Sequence, residues 1–485
     1  MRQKRTIYFN DARHYYLFVF EPPMTLQDAW LPIDEIAGTA VDTFVYGVER
    51  GDGLFYPSRV GMRFGQDIQP FQMAAYWRTW HNMQSLIDRD LDPLQVLIDR
   101  AHEKNIDFIP SLRMVSHGGM DPAHRLENGG RGLVHPEVRD HQFAVLEELT
   151  TEYPTEGVEL DFALPGGSPR VLRPEDVPSA TPLITDYVEK ISEMVRGRPG
   201  GAGQVGVRVL PTEEMNLDQG LDVRSWLERG LIDFAVPLRY GYMILDPDLP
   251  MDWLIEAAHV SDTAVYGMLQ PYVCDEQTSA PQRVWPTPEQ MRAAAASYWS
   301  RGVDGLYTWF MRWPLGDTER RILTELGDPD LIAEEDKHYV LARNVQTDPT
   351  AHYQVHLPVE IAASDTGPRH PIPFHIADDV EGAKDRIRQI QLKLNITDLV
   401  SADRISIHLN GQSLAGEICR RSCGSDIAPY IGQWLEFDLR DVLPRKGENL
   451  LEVSLDQRVE GLVGPLRVEQ VEIVVEYGPY PSRFP

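Results

Sequence analysis

Two carboxylates lie two positions apart in residues 156–167, where acidic and apolar residues alternate before a Pro-Gly-Gly turn. A β-strand places alternate side chains on opposite faces, so Glu159 and Asp161 share one face. Acids inside a core strand need partners, whereas acids at the C-terminal end of a parallel barrel strand are expected at a catalytic face. The spacing therefore predicts either a structural acid pair or catalytic carboxylates. Asp161, nearer to the strand end, is the candidate nucleophile or base.

Acid–base chemistry would need a second carboxyl group that stays protonated while the first is ionised. Glu213 and Glu214 follow the predicted fifth strand, and Glu213 is the first candidate for the proton donor, with Glu214 as its alternative. Asp246, beyond the sixth strand, is a third candidate. Glu159 also counts among the catalytic candidates, because it shares a face with Asp161. A solvated loop pair is the alternative interpretation of the two glutamates after strand five.

Aromatic and basic residues gather at the predicted strand ends. Aromatic faces stack on sugar rings, and a carboxylate pair can cleave a glycosidic bond. An arginine inside a barrel needs a partner, and a spare one suits a carboxylate or sulfate, so an anionic sugar is one hypothesis for the substrate. The candidate substrate-binding residues are Tyr46, Arg113, His117, Arg208, Arg239, Tyr240, Tyr272, Trp309 and Trp313.

Strands and helices alternate through residues 1–330, which predicts a catalytic (β/α)8 TIM barrel, an α/β fold. An open doubly wound sheet is less consistent, because no Gly-x-Gly-x-x-Gly follows a strand. The predicted strands are 14–22, 39–48, 106–114, 157–162, 204–210, 232–240, 263–272 and 303–311. The predicted helices are 25–38, 94–104, 137–153, 181–196, 223–230, 252–259, 287–301 and 317–326.

Residues 338–485 lack helical periodicity and form the second predicted domain. Short alternating strands separated by turns are typical of a β-sandwich or jelly roll. The predicted strands are 387–396, 404–409, 434–439, 449–455 and 468–477. We expect this accessory domain to brace the barrel rather than to bind sugar.

The motif Gly157-Val-Glu-Leu-Asp-Phe162, together with Gly305-Leu-Tyr-Thr-Trp309, resembles a poorly characterised family of glycosyl-hydrolase-like (β/α)8 barrel proteins. The resemblance covers about residues 1–330. It implies a glycoside hydrolase fold and glycosidase activity on a poly- or oligosaccharide. In the second domain, the stretches 407–411, 435–439 and 447–453 resemble the galactose-binding-like β-sandwiches that follow many carbohydrate enzymes.

Better-known barrel enzymes differ from this chain at the fourth strand. Chitinase-like enzymes have Asp-x-Asp-x-Glu there, and Ala163 stands at the position of their catalytic Glu. Alpha-galactosidase-like barrels have one Asp ending the fourth strand and another after the sixth, and Asp161 and Asp246 would fill those positions. The alternative function is a non-catalytic carbohydrate-binding or scaffold protein on a degenerate glycosidase barrel, for which Ala163 is the best support.

Composition excludes several other classes of function. The formal net charge of −28 argues against nucleic acid or an anionic membrane as a partner. Three cysteines are too few for a disulfide framework, and the histidines are too scattered for a catalytic metal, so we expect no cofactor. The N-terminus lacks a signal-like apolar run, so we expect a cytoplasmic protein, with an exported form left open. The sequence also leaves open whether the chain forms a homo-oligomer.

Overall fold

The structure, a computed structural model, describes residues 3–12, 16–51, 53–114, 122–126, 130–163, 171–198, 201, 203–238, 243–275, 282–343, 355–423 and 432–478. Eight parallel strands of this described chain close into a barrel. They are β1 (Thr6–Asp11), β2 (Thr43–Gly47), β3 (Asp107–Arg113), β4 (Gly157–Asp161), β5 (Gln204–Val209), β6 (Phe234–Pro237), β7 (Ala264–Leu269) and β8 (Gly305–Thr308). Each strand pairs with its neighbours in the chain, and β8 pairs with β1. The predicted (β/α)8 barrel is therefore confirmed.

Alternate side chains of the barrel strands pack into two separate cores. Ile7, Phe9 and Val45 belong to the cluster inside the barrel, whereas the residues between them pack outward against the helices. Both faces of each strand are covered, which is why the strands are nearly continuous in apolar residues. Gly206 faces inward, and a Cβ there would lie 1.9 Å from the Phe234 ring, so only glycine leaves room for that ring.

The helices begin and end at residues whose types suit those positions. Thr25 forms a capping box with Asp28, and Thr287 caps a helix that has proline at its first position. The helices are α1 (Tyr16–Val19), α2 (Leu26–Asp34), α3 (Ala74–Ile87), α4 (Pro93–Glu103), α5 (Pro136–Thr151), α6 (Val177–Arg196), α7 (Glu213–Leu217), α8 (Val223–Glu228), α9 (Asp252–Val260), α10 (Pro288–Arg301), α11 (Asp317–Glu325) and α12 (Pro329–Ile332).

The first strand differs from its prediction over 14–22. The strand lies earlier, at Thr6–Asp11, and the apolar run contains the short helix α1, which packs against the unpredicted helix α3. Leu17 is buried there, and the Asn82 side chain donates hydrogen bonds to the carbonyls of Leu17 and Phe20. A short apolar run buries its side chains equally well as helix or strand, so periodicity did not distinguish the two.

The C-terminal part consists of antiparallel sheets, as predicted. The strands are β9 (Lys337–Val340), β10 (Val359–Ile361), β11 (His370–Ile376), β12 (Ile387–Thr397), β13 (Arg404–Leu409), β14 (Gln412–Ser413), β15 (Ile418–Cys423), β16 (Gly432–Asp438), β17 (Gly447–Gln457) and β18 (Leu466–Tyr477). One sheet has the order β9, β18, β12, β16, β15, with β10 also paired to β18, and the other has the order β11, β17, β13, β14. Side chains of both sheets meet in one apolar core.

The two parts meet at helix α10 of the barrel. Ala293 of α10 is buried in the core of the C-terminal sheets, next to β9. The buried Lys337 ammonium, at the start of β9, donates to the Asp378 carboxylate at 2.9 Å, and Tyr477 also donates to it at 2.7 Å. The packing of α10 against the C-terminal core fits a bracing role, which stays a prediction. No helix among the described residues has the length and apolar character needed to cross a bilayer.

Candidate active site

A buried ion pair lies just below the C-terminal ends of β4 and β5. Arg208 donates from Nε to Oε1 of Glu159 at 2.7 Å, and neither side chain is exposed. Ser111 Oγ accepts a further hydrogen bond from Arg208 at 3.2 Å, and Tyr307 donates to Glu159 at 3.2 Å. Burial alone disfavours a charged arginine, but Glu159, Tyr307 and Asp161 together outweigh it and the pKa of Arg208 is raised. Glu159 and Arg208 thus form a pair inside the barrel, while burial raises the pKa of Glu159 and its Oε2 makes no hydrogen bond to a described residue.

Asp161 occupies the next inward position on β4, at the strand end. It is buried, and its carboxylate accepts hydrogen bonds from the Ala163 N–H at 3.1 Å and from Arg208 Nη1 at 3.3 Å. Each of its two carboxylate oxygens therefore has a donor. The structure therefore brings Asp161, Glu159 and Arg208 together, with Asp161 nearest to the mouth of the barrel.

A second pair of charges lies at the ends of β1 and β3. Arg113 Nη2 contacts Asp11 Oδ2 at 2.6 Å, and Arg113 Nη1 also donates to the carbonyl of Glu49. Arg113 pairs with Asp161 in the register of β3 and β4. Burial opposes the charge on Arg113, but the acids around it, Asp11 first among them, outweigh burial and raise its pKa. Neither Arg113 nor Arg208 is therefore a spare cation.

Glu49 is a third acid at this end of the barrel, just after β2. Its side chain is 1% exposed, and neither carboxylate oxygen makes a hydrogen bond to a described residue. Burial raises the pKa of Glu49, an effect that Asp161 adds to and that Arg131 and Arg113 oppose. The two carboxylates differ in their contacts: Asp161 accepts two hydrogen bonds, whereas Glu49 accepts none from a described residue.

The aromatic candidates lie in four places. Trp309 is inside the barrel mouth, with its ring 5.2 Å from Phe9. Tyr272 packs 5.0 Å from the ring of Trp285, which is 37% exposed and offers an aromatic face to solvent. Two other candidates lie elsewhere. Tyr46 points away from the barrel interior, among Phe44 and Phe108, and Trp313 packs edge-on against Phe20.

The candidates for the second acid do not lie beside Asp161 on a strand end. Glu213 is the first residue of α7, and its carboxylate is bonded to the Arg224 guanidinium at 2.5 and 2.8 Å. Hydrogen bonding from Arg224 lowers the pKa of Glu213, which favours its ionised form. Glu214 is exposed. Asp246 lines a cavity of about 370 Å³ where the barrel meets the C-terminal sheets.

Three candidate binding residues, His117, Arg239 and Tyr240, lie outside the described residues. Among the described residues, His124, His135 and Glu137 have side chains of metal-ligand type, with ligand atoms within 4.8 Å of one another. His124 Nε2 and Glu137 Oε2 are 3.9 Å apart.

Asp11 and Trp285 are candidate site residues that the sequence-based assignment did not include, and the sequence places Glu49 at the end of the second strand without giving it a role. Asp11 ends a strand in which Ile7 and Phe9 face the barrel interior. The run that follows it is more apolar and predicts the first strand there instead, so Asp11 was not a candidate. Glu49 stands two positions beyond the inward-facing Gly47. That signal was present in the sequence, but nothing in it distinguished an inward glutamate from a loop residue.

Comparisons with protein-family models and with curated proteins gave no match. Solved structures do match. Alpha-L-fucosidase isoenzyme 2 from Paenibacillus thiaminolyticus shares 13% identity over 69% of this chain and 50% of that chain, with a TM-score of 0.43. The spore cortex-lytic enzyme SleL from Bacillus megaterium QM B1551 shares 13% over 66% and 73%, with a TM-score of 0.39. Alpha-L-fucosidase from Vibrio sp. strain EJY3 shares 12% over 93% and 87%, with a TM-score of 0.39. At such values these likenesses carry no information about the reaction of this chain.

Proposed function

We propose that the chain is a glycoside hydrolase that cleaves an oligo- or polysaccharide at the C-terminal mouth of the barrel. The observation that carries the proposal is the environment of Asp161. It ends β4, faces the mouth and is held by the Ala163 N–H and by Arg208. An ionised carboxylate in this position suits the nucleophile of a retaining enzyme or the base of an inverting one.

The sugar would lie against aromatic rings around the carboxylate. Trp309 forms the wall next to Arg208, and Tyr272 with Trp285 forms a second, more exposed surface. A rigid aromatic face adds apolar contact area at little cost in side-chain entropy. Trp309 would therefore contact the sugar at the scissile bond, and Trp285 would contact a more distant unit of the same glycan.

The partners of the buried arginines indicate whether the sugar is charged. Arg113 and Arg208 are both engaged by carboxylates of the chain itself, so neither supports the hypothesis of an anionic sugar. We expect neutral oligosaccharides to be cleaved at least as well as uronate or sulfated ones. Faster cleavage of acidic substrates would show that other cations face the sugar, and would restore the anionic hypothesis.

The test is a screen of oligosaccharides and aryl glycosides with the wild type and with Asp161→Asn. We expect the wild type to release a sugar and the variant to lose about 10²-fold or more of the rate. Unfolding of both proteins by urea controls for damage to the fold, because Asn keeps the shape of Asp. Equal activity of the two proteins would show that another carboxylate is the essential one.

One observation favours a second candidate, a carbohydrate-binding or scaffold protein without activity. Ala163 is buried in the interior cluster of the barrel, directly after the end of β4, and it has no group for chemistry. In this case neither the wild type nor Asp161→Asn would cleave any glycoside of the screen. An oligosaccharide would instead stay bound and uncut through a long incubation.

A further inference from the structure

We propose that Glu49 is the proton donor to the departing sugar oxygen, a role that rests on the glycosidase function proposed above. Sequence-based reasoning favoured Glu213, and that assignment stays a prediction. The geometry points to Glu49 for three reasons, which concern the direction of its side chain, the lack of hydrogen bonds to its carboxylate, and the charges around it.

The side chain of Glu49 continues the inward row of β2. Val45 belongs to the interior cluster, and a Cβ on Gly47 would lie 2.9 Å from Asp11 Cβ, so both positions face the barrel. The ladder extends one residue further, because the Val48 N–H donates to the Ser111 carbonyl, and Val48 packs outward. Because side chains alternate between the two faces of a strand, the Glu49 side chain points inward, to the mouth that Asp161 also faces.

The Glu49 carboxylate is buried, and no described residue supplies the donors that an ionised carboxylate requires. Neither of its oxygens makes a hydrogen bond to a described residue. The backbone N–H of Arg113 is near enough to lower the pKa of Glu49, but it does not make a hydrogen bond of normal geometry. A buried, poorly solvated carboxyl group favours the neutral acid, which is the form that can donate a proton.

Three charged groups act on Glu49 from neighbouring elements. Arg131 and Arg113 favour its ionised form, whereas the negative charge of Asp161 favours its protonated form. Arg113 is largely neutralised by Asp11 at 2.6 Å, which weakens its effect. The effect of burial on the pKa of Glu49 outweighs the opposite effect of both arginines. Glu49, whose pKa burial raises, thus faces the same mouth as Asp161, whose carboxylate accepts two hydrogen bonds, and acid–base catalysis needs two carboxyl groups in different surroundings.

In the reaction, the Glu49 carboxyl proton passes to the glycosidic oxygen as the bond from that oxygen to the anomeric carbon breaks. The bonding electron pair stays on the oxygen, so the leaving group departs as an alcohol. The Asp161 carboxylate, or a water that it deprotonates, supplies the electron pair for the new bond at the anomeric carbon. If Asp161 itself bonds to the carbon, a water then displaces it and gives its proton to Glu49. If Asp161 deprotonates water, Glu49 regains its proton from solvent.

The test compares leaving groups in the wild type and in Glu49→Gln. A dinitrophenolate leaves without protonation, whereas a sugar alkoxide needs a proton. We therefore expect the variant to lose about 10²–10⁴-fold on oligosaccharides and far less on a dinitrophenyl glycoside. The fall of kcat/KM at high pH, which we call the alkaline limb of the profile, should also be absent from Glu49→Gln. Equal losses on both substrates would overturn the donor role.

A matched control is Glu148→Gln. Glu148 is also buried, but its carboxylate accepts hydrogen bonds from Tyr56 at 2.9 Å and from the Arg59 N–H at 2.6 Å, away from the mouth. Glu148→Gln should leave the ratio of the rates on the oligosaccharide and on the dinitrophenyl glycoside unaltered. A ratio that changed as in Glu49→Gln would show a general effect of burying a glutamine and would overturn the assignment.

A second measurement does not depend on activity. The infrared difference spectrum between the wild type and Glu49→Gln, at about pH 6, should show a protonated carboxyl band, although free Glu ionises near pH 4.3. Carboxylate bands in its place would overturn the proposal even if the enzyme is active. A wild type that cleaves no glycoside but shows the protonated band would refute the glycosidase function, and the donor role with it, while leaving the protonated state of Glu49 established.

Discussion

The Arg208 guanidinium and the Glu159 carboxylate form an ion pair of 2.7 Å in which neither side chain is exposed. The guanidinium also lies 3.9 Å from the centre of the Phe9 ring and 5.1 Å from that of Trp309, so it fills the barrel beneath the mouth. Two residues with types suited to chemistry therefore neutralise each other. Of the two acids on β4, this leaves Asp161 at the strand end.

Replacing Arg208 with methionine should destabilise the fold strongly. The change leaves Glu159 buried without its cation, and breaking such a pair costs about 3–5 kcal/mol. The free energy of unfolding in urea measures this loss. The double variant Arg208→Met, Glu159→Leu should recover much of it, because both charges are then gone. A loss below about 1 kcal/mol in the single variant would show that water reaches the pair.

The alkaline limb of the pH profile should move in opposite directions in two variants. Asp11→Asn removes the anion that neutralises Arg113, so the pKa of Glu49 should fall and activity should decline at lower pH. Arg131→Met removes a cation that favours ionised Glu49, so the limb should move to higher pH. The profile of kcat/KM against pH measures both shifts. Shifts of the same sign would show that Glu49 does not control this limb.

Glu49→Gln should change how stability depends on pH. The pKa of Glu49 is raised in the folded protein, so the folded state binds more protons than the unfolded one above the ordinary value of about 4.3. In the wild type this group therefore costs stability as pH rises through that window, whereas glutamine does not titrate. The free energy of unfolding of the variant minus that of the wild type should increase with pH. A constant difference between about pH 4 and 8 would contradict a raised pKa.

Glu213→Gln tests the donor that sequence-based reasoning selected. Glu213 and Arg224 have side chains that are 35% and 43% exposed, so their ion pair contributes about 1 kcal/mol or less. We expect a small loss of stability and retained cleavage of oligosaccharides. A fall in kcat of about 10²-fold with unchanged dinitrophenyl hydrolysis would instead establish Glu213 as the donor.

Much of the barrel follows from local patterns. The alternation around Asp161 predicts β4, and the capping residues Thr25 and Thr287 predict the starts of their helices. The first strand was misplaced, because the run around Leu17 is more apolar than Thr6–Asp11 and its partner α3 was not foreseen. That single error also hid Asp11, the anion that neutralises Arg113 at the mouth.

By itself, the sequence determined the barrel, the sheets that follow it, and the position of Asp161 at a strand end, because periodicity and turn residues act over short distances. It also showed that Glu159 and Asp161 share a face. Only the tertiary structure decided which charges meet. Whether Glu159 is catalytic or structural depends on Arg208, 49 positions away, and whether Glu49 is ionised depends on burial by strands that fold around it. Such pairings arise from the register of strands that are distant in the sequence, which no local pattern encodes.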